Sequence, residues 1–114
     1  MTKLDRWAMA IMEFEGYSKG SVSYRNNNPG NLKWPGGKHD AGGHSIFPTF
    51  RDGWDRLVYQ LEIATDGRSR VYNPEMNLYE FFGKYAERHS IEYAEFVAKR
   101  LDVDPAETKI KDLR

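Results

Sequence analysis

AIMEFEGYSKGSVSYRNNNPGNLKW, residues 10–34, joins two unlike kinds of sequence. An apolar-periodic segment ends at Glu15-Gly16. A polar loop follows, with consecutive asparagines at 26, 27 and 28 before Pro29-Gly30-Asn31. A helix turns by about 100° per residue, which places Leu4, Trp7, Ala8 and Ile11 on one face. Glu15 continues that stripe and Glu13 points to the opposite side. Glu13 therefore reads as an ordinary solvated residue. Glu15 reads as a carboxylate on an apolar face, where charge is disfavoured and the pKa is expected to rise. Such a group stays protonated at higher pH and is a candidate general acid. The competing readings are that the helix frays at Gly16 and turns Glu15 outward, or that Glu15 pairs with Arg25.

Working outward, the first helix is expected over about Thr2–Glu15, with Gly16 as its C′ stop. Residues 17–48 hold most of the glycine, together with Pro29, Pro35 and Pro48. A connection this long is usually functional or disordered. Tyr17, Tyr24, Trp34, Phe47 and Phe50 argue for packing. Asn31–Trp34 and His44–Phe47 are expected to pair as short strands of a small irregular hairpin.

A second helix is capped by Thr49 or Asp52 and ends at Gly67, with Trp54, Leu57, Val58, Leu61 and Ala64 on its apolar face. Asn77 with Glu80 three residues later forms a capping-box signature for a third helix, which carries Leu78, Phe81, Phe82 and Tyr85 on one side. Ser90 is expected to cap a fourth, burying Ile91, Ala94, Val97, Ala98 and Leu101. Asp104-Pro105-Ala106-Glu107 predicts a short fifth helix to about Asp112. The expectation is one mainly α domain over residues 1–114, of four to five helices, with a long polar loop or small hairpin after the first. Its predicted core is Leu4, Ile11, Trp54, Leu57, Leu61, Phe82, Val97 and Leu101.

The length of 114 residues suits one domain with a modest core. Lysine plus arginine equals aspartate plus glutamate at 17 each, so the basic excess usual in nucleic-acid binders is missing. Without cysteine there is no disulfide framework, thiol nucleophile or thiolate metal site. The N-terminus lacks the apolar run of a signal peptide, and no stretch is long enough to span a membrane. His39, Asp40 and His44 lie close together, but a metal site needs three or four ligands and nothing in the spacing fixes them. No phosphate-binding glycine motif or nucleophile elbow is present, so neither cofactor nor metal is expected.

The asparagine run offers several donors and acceptors at once, as recognition of hydroxyls and amides requires. Asparagine also favours turns for conformational reasons. Ligand contact is expected chiefly at Asn28 and Asn31, with the other asparagines holding the loop. Tyr17, Tyr24, Trp34 and Tyr85 offer flat faces for stacking on sugar rings, or alternatively core packing.

AIMEFEG, RNNNPGNLKW and FPTFRDGWDRLVYQL together resemble small lysozyme-like domains of bacteriophage and prophage proteins, which are similar to goose-type lysozymes and soluble lytic transglycosylases. The resemblance spans about residues 8–62, and the later part of the chain only through Tyr85-Ala86 and Phe96-Val97-Ala98. It implies a lysozyme-like α+β fold, with Glu15 in the place of the family's catalytic glutamate and Gly30-Asn31-Leu32 in the place of its sugar-lining loop. Gly16 stands where the family carries serine, and the glutamine ending the second family motif has no counterpart. The implied partners are peptidoglycan glycan strands, held by Tyr24, Arg25, Asn28, Gly30, Asn31, Trp34 and Tyr85, with Arg25 turned toward a lactyl carboxylate. The implied reaction is cleavage of the N-acetylmuramic acid–N-acetylglucosamine bond. One carboxylate suffices for lytic transglycosylation, while hydrolysis would draw on Asp40 or another acid as base. The alternative is a non-catalytic virion or cell-wall-binding module. Either way the expected protein is a monomer or part of a virion assembly, acting on the periplasmic cell wall after delivery by another component.

Overall fold

The computed structural model describes all 114 residues. Helix α1 (Lys3–Phe14) starts at a full capping box. The Thr2 hydroxyl accepts from the Asp5 amide, and the Asp5 carboxylate accepts from the Thr2 amide, both at 3.0 Å. A single helical turn, α2 (Val22–Arg25), follows, with Ser21 as its cap. Strands β1 (Lys38–His39) and β2 (Ser45–Ile46) pair antiparallel, Lys38 opposite Ile46 and His39 opposite Ser45. Helices α3 (Phe50–Asp66), α4 (Leu78–Tyr85) and α5 (Ser90–Leu101) complete the body, and a 3-10 turn at Ile110–Leu113 closes the chain. The fold is mainly α, with five helices and one two-stranded sheet. No helix is long and apolar enough to cross a membrane.

The predicted caps of the middle helices are made. Thr49 accepts from the Asp52 amide at 3.1 Å, and Gly67 ends α3 in the left-handed region at φ +91°. Asn77 and Glu80 form the capping box of α4. Helix α1 packs against α3 and α5, α4 lies along α5, and the terminal 3-10 turn rests on α3. Between them Trp7, Ile11, Leu57, Leu61, Phe81, Phe82 and Val97 lose all solvent contact. Of the expected core residues, Leu4, Trp54 and Leu101 pack at its margin and stay partly exposed.

Five expectations are corrected. The first strand is Lys38–His39, not Asn31–Trp34. The earlier segment touches Ser45 only through Ser45 N donating to the Leu32 carbonyl (2.8 Å) and Trp34 N donating to Ser45 Oγ (2.9 Å). Residues 22–25, read as loop, form α2 because Ser21 supplies a cap to the Tyr24 amide. Ser90 is the first residue of α5, after a left-handed His89 that makes no side-chain cap bond. On that helix Ile91 is 58% exposed. Burial of Tyr93 rotates the centre of the buried face away from it.

The fifth helix does not form. Asp104 Oδ1 does accept from the Ala106 and Glu107 amides, as a cap should. The chain then leaves the helical path to bond with residues 74–78. Leu78 N donates to the Pro105 carbonyl (3.1 Å), Ile110 N to Met76 (2.8 Å) and Lys111 N to Pro74 (3.1 Å). Those tertiary bonds replace the helical ones that a local signal could only suggest.

Candidate functional site

Glu15 owes its position to how α1 stops. Tyr17 N donates to the Met12 carbonyl (3.3 Å) and Gly16 N to the Glu13 carbonyl (3.1 Å), the two bonds of a Schellman motif. Gly16 takes φ +67°, which a side chain would resist. The motif keeps Glu15 right-handed at the C-cap, so its side chain stays on the Trp7–Ile11 face. Glu13 is exposed and pairs with Arg100 at 2.9 Å.

Glu15 opens into a cleft of about 530 Å³. Its walls are Phe14 and Glu15 at the end of α1, the 30–35 segment, His44, Gln60 of α3, Tyr72, residues 84–88 around the end of α4, and Tyr93 of α5. The Tyr93 hydroxyl donates to Glu15 Oε2 at 2.8 Å, and no cation pairs with the carboxylate. Burial pushes the Glu15 carboxyl above its ordinary value. The Tyr93 hydroxyl, the nearby Asn31 amide and the charge of a protonated His44 pull it part of the way back. The carbonyls of the last turn of α1 oppose negative charge at this position as well.

The opposite wall is held by polar bonds where a sheet would ordinarily serve. Asn26 Nδ2 donates to Asp40 Oδ2 (2.9 Å), and Asn27 Nδ2 to the Phe47 carbonyl (3.0 Å). Asn28 donates to the Leu32 and Ser45 carbonyls and accepts from Leu32 N, all at 2.9 Å. The Asn27 and Asn28 amides pair with loop backbone groups, the Leu32 carbonyl being shared with Ser45 N. The loop lies directly on α3 because Gly53 has no side chain: a Cβ there would stand 1.8 Å from the Asn27 carbonyl oxygen. Gly30 is also confined, though by side chains, its would-be Cβ meeting Leu57 at 2.7 Å and the Tyr85 hydroxyl at 2.8 Å.

The structure therefore divides the expected site residues. Asn31, Gly30, Trp34 and Tyr85 line the cleft with Glu15. Asn28 does not: it is completely buried and its amide is spent on the loop itself, which corrects its assignment as a ligand contact. Tyr24 and Arg25 lie outside the cleft lining. Tyr24 packs on Tyr17 at 5.3 Å, and Arg25 donates to the Gly20 carbonyl at 3.1 Å, away from Glu15. Trp34 reaches the cleft with Arg56 stacked 3.9 Å from its ring centre. Tyr85 contributes less as a stacking face than as a strut, its hydroxyl donating to the Gly30 carbonyl at 2.7 Å. Asn31, left-handed at φ +51°, keeps a buried Oδ1 without a protein donor.

Two cleft residues escaped the sequence reading. Tyr93 sits among Ala94, Val97 and Ala98 on the buried face of α5, and a buried tyrosine needs a partner for its hydroxyl. That rule identifies it as a polar group in the core without naming its partner. His44 was grouped with His39 and Asp40. The fold separates them: His39 Nε2 contacts the Trp34 carbonyl, while His44 Nδ1 lies 3.3 Å from Asp40 Oδ2.

Of the acids considered as partners of Glu15, Asp52 accepts from the Thr49 hydroxyl in the first turn of α3, Asp66 pairs with Arg68 at 2.7 Å, and Asp40 lies beside His44. The other carboxylate in the cleft lining is Glu87, exposed and paired with Lys33. The cleft thus offers one shielded carboxyl with a hydroxyl on one oxygen, between aromatic and amide walls. Compared with protein-family models, curated proteins and solved structures, the chain gives no match.

Proposed function

We propose that this chain cleaves the glycan strands of peptidoglycan at the N-acetylmuramic acid–N-acetylglucosamine bond, with Glu15 as general acid. The observation that carries the reading is a half-buried carboxyl with a raised pKa, unpaired with any cation, at the wall of a cleft large enough for sugar rings. Tyr93 engages Oε2, the Asn31 amide lies close by, and the carboxyl opens into the cleft. From there Glu15 gives its proton to the glycosidic oxygen as the bond to the anomeric carbon breaks. Asn31 lines the cleft beside Glu15, and its side-chain amide is of the type that recognises acetamido groups and hydroxyls. Trp34 adds an aromatic edge.

The test is Glu15→Gln on purified peptidoglycan, followed by turbidity and by release of soluble muropeptides. The substitution keeps the shape and the bond from Tyr93 but removes the acid. Cleavage is expected to fall by roughly 10²-fold or more, the scale of general acid–base catalysis. Glu13→Gln, on the outer face, is expected to retain activity. Equal rates for Glu15→Gln and parent would refute the assignment of the acid. A parent that sediments with peptidoglycan without cleaving it would refute turnover and leave a wall-binding module.

A further inference from the structure

The 40–44 turn holds one carboxylate with unusual firmness. Asp40 Oδ1 accepts from the Gly42 and His44 amides, and Oδ2 from Asn26 Nδ2, each at 2.9 Å. These bonds hold the Asp40 carboxyl down at about 2, so it is charged at any working pH. His44 Nδ1 lies 3.3 Å from Oδ2 of this fixed anion. Gly42 makes room for the ring: a Cβ there would stand 3.3 Å from both His44 Cε1 and Nδ1. A fixed carboxylate beside Nδ1 favours the tautomer with the proton on Nδ1, and leaves Nε2 with a free lone pair. The ring lines the same cleft as Glu15 but comes from a different element, the β1–β2 hairpin rather than α1.

We propose that His44, oriented by Asp40, is the general base of this cleft and makes its reaction a hydrolysis. The inference rests on the reading of Glu15 as general acid. As the bond from the anomeric carbon to the glycosidic oxygen breaks, that oxygen takes the Glu15 proton. A water oxygen forms the new bond to the anomeric carbon, and the proton it loses goes to His44 Nε2. The imidazolium then returns its proton to the Glu15 carboxylate through solvent water. One water is consumed, and both sugar ends leave with free hydroxyls. His44 is a catalytic residue in this scheme, and Asp40 is a positioning residue. The charged groups bearing on the ring are Asp40 on its own hairpin, Glu15 from α1, and Glu87 with its partner Lys33 at the cleft edge.

Mass analysis of muropeptides from purified peptidoglycan tests the proposal, because reducing and 1,6-anhydro muramic ends differ by one water. The parent is expected to yield reducing ends. His44→Ala should lose about 10²-fold in the rate of their formation, and added imidazole should restore part of it. Asp40→Asn should lower kcat while leaving KM near the parent value, and Asp40→Glu, which keeps an anion near Nδ1, should recover part of the loss. A purely structural role for Asp40 would show as a lower melting temperature without that split between kcat and KM. Anhydro ends alone from the parent, parent-like hydrolysis by His44→Ala, or a folded His44→Ala that imidazole does not rescue would each overturn the proposal while leaving Glu15 as the acid. A parent that releases no muropeptide at all would overturn both readings together.

Discussion

Replacing either of two helical glycines by alanine is expected to have opposite effects. Ordinarily the exchange stabilises a helix by up to about 1 kcal/mol. At Gly83 in α4 a Cβ meets nothing within 4 Å, so Gly83→Ala should deliver that gain. At Gly53 in α3 a Cβ would stand 1.8 Å from the Asn27 carbonyl oxygen, where real Cβ contacts essentially never fall below 3.0 Å. The loop or the helix must therefore separate by at least the difference, 3.0 − 1.8 = 1.2 Å. Overpacking of this kind costs about 1–3 kcal/mol. Displacing Asn27 and Asn28 weakens the bonds they make to Phe47, Leu32 and Ser45, at about 1 kcal/mol for each bond lost. Set against the helical gain, Gly53→Ala should lose roughly 1–3 kcal/mol net. The two variants should then differ by at least about 2 kcal/mol. With a urea m-value of about 1–2 kcal/mol/M for a small chain, their unfolding midpoints should lie about 1 M or more apart. The reasoning fails if both variants are stabilised, or if Gly53→Ala unfolds at the parent midpoint.

Three further outcomes follow from the cleft. Glu15 has a raised carboxyl, so in the folded chain it keeps a proton that the unfolded chain has already lost; parent stability should fall as pH climbs from the ordinary glutamate range through the folded value. Glu15→Gln should accordingly melt above the parent at neutral pH and level with it in acid, and a variant melting below the parent at neutral pH would contradict this. Tyr93→Phe removes a bond that favours the ionised form, so the Glu15 carboxyl carbon, followed by NMR, should titrate at higher pH than in the parent. Asn28→Ala should cost stability, because it strips three bonds from buried loop groups, whereas Asn31→Gly, which suits the left-handed backbone there, should leave the melting temperature near the parent value and weaken chitooligosaccharide binding; the reverse pattern would restore Asn28 as a ligand contact.

What could be read from the sequence was local. Thr49, Asn77-Glu80 and Gly16 mark their helix ends through bonds that span three to five residues, and those bonds are present. The face argument separated Glu15 from Glu13 because it needs only the helical period. Apart from the single turn of α2, capped locally by Ser21, what failed depended largely on partners distant in sequence. Asp104-Pro105 offered a sound helix start, but residues 74–78 competed for the same backbone. The asparagine run looked like a ligand surface because an amide facing a sugar and an amide facing its own loop have the same composition. Which way Asn28 turns was decided by Leu32 and Ser45. His44 and Asp40 were visible as neighbours, but the placing of His44 in the Glu15 cleft comes from the hairpin and not from their spacing.

The wall segment held from behind by Asn26, Asn27 and Asn28 has little regular secondary structure, yet its amides are donors in closed bonds. Asn28 N reaches Ser23, Leu32 N reaches Asn28 Oδ1, Ser45 N reaches Leu32, and Phe47 N reaches Asn26. Such a network opens as a unit, so in deuterated water these four amides should exchange together and slowly, at a rate resembling a helix more than a loop. A wall that is already ordered spares an incoming strand the entropic cost of arranging it. Under the proposed function, selectivity would then come from how well the glycan matches a fixed shape.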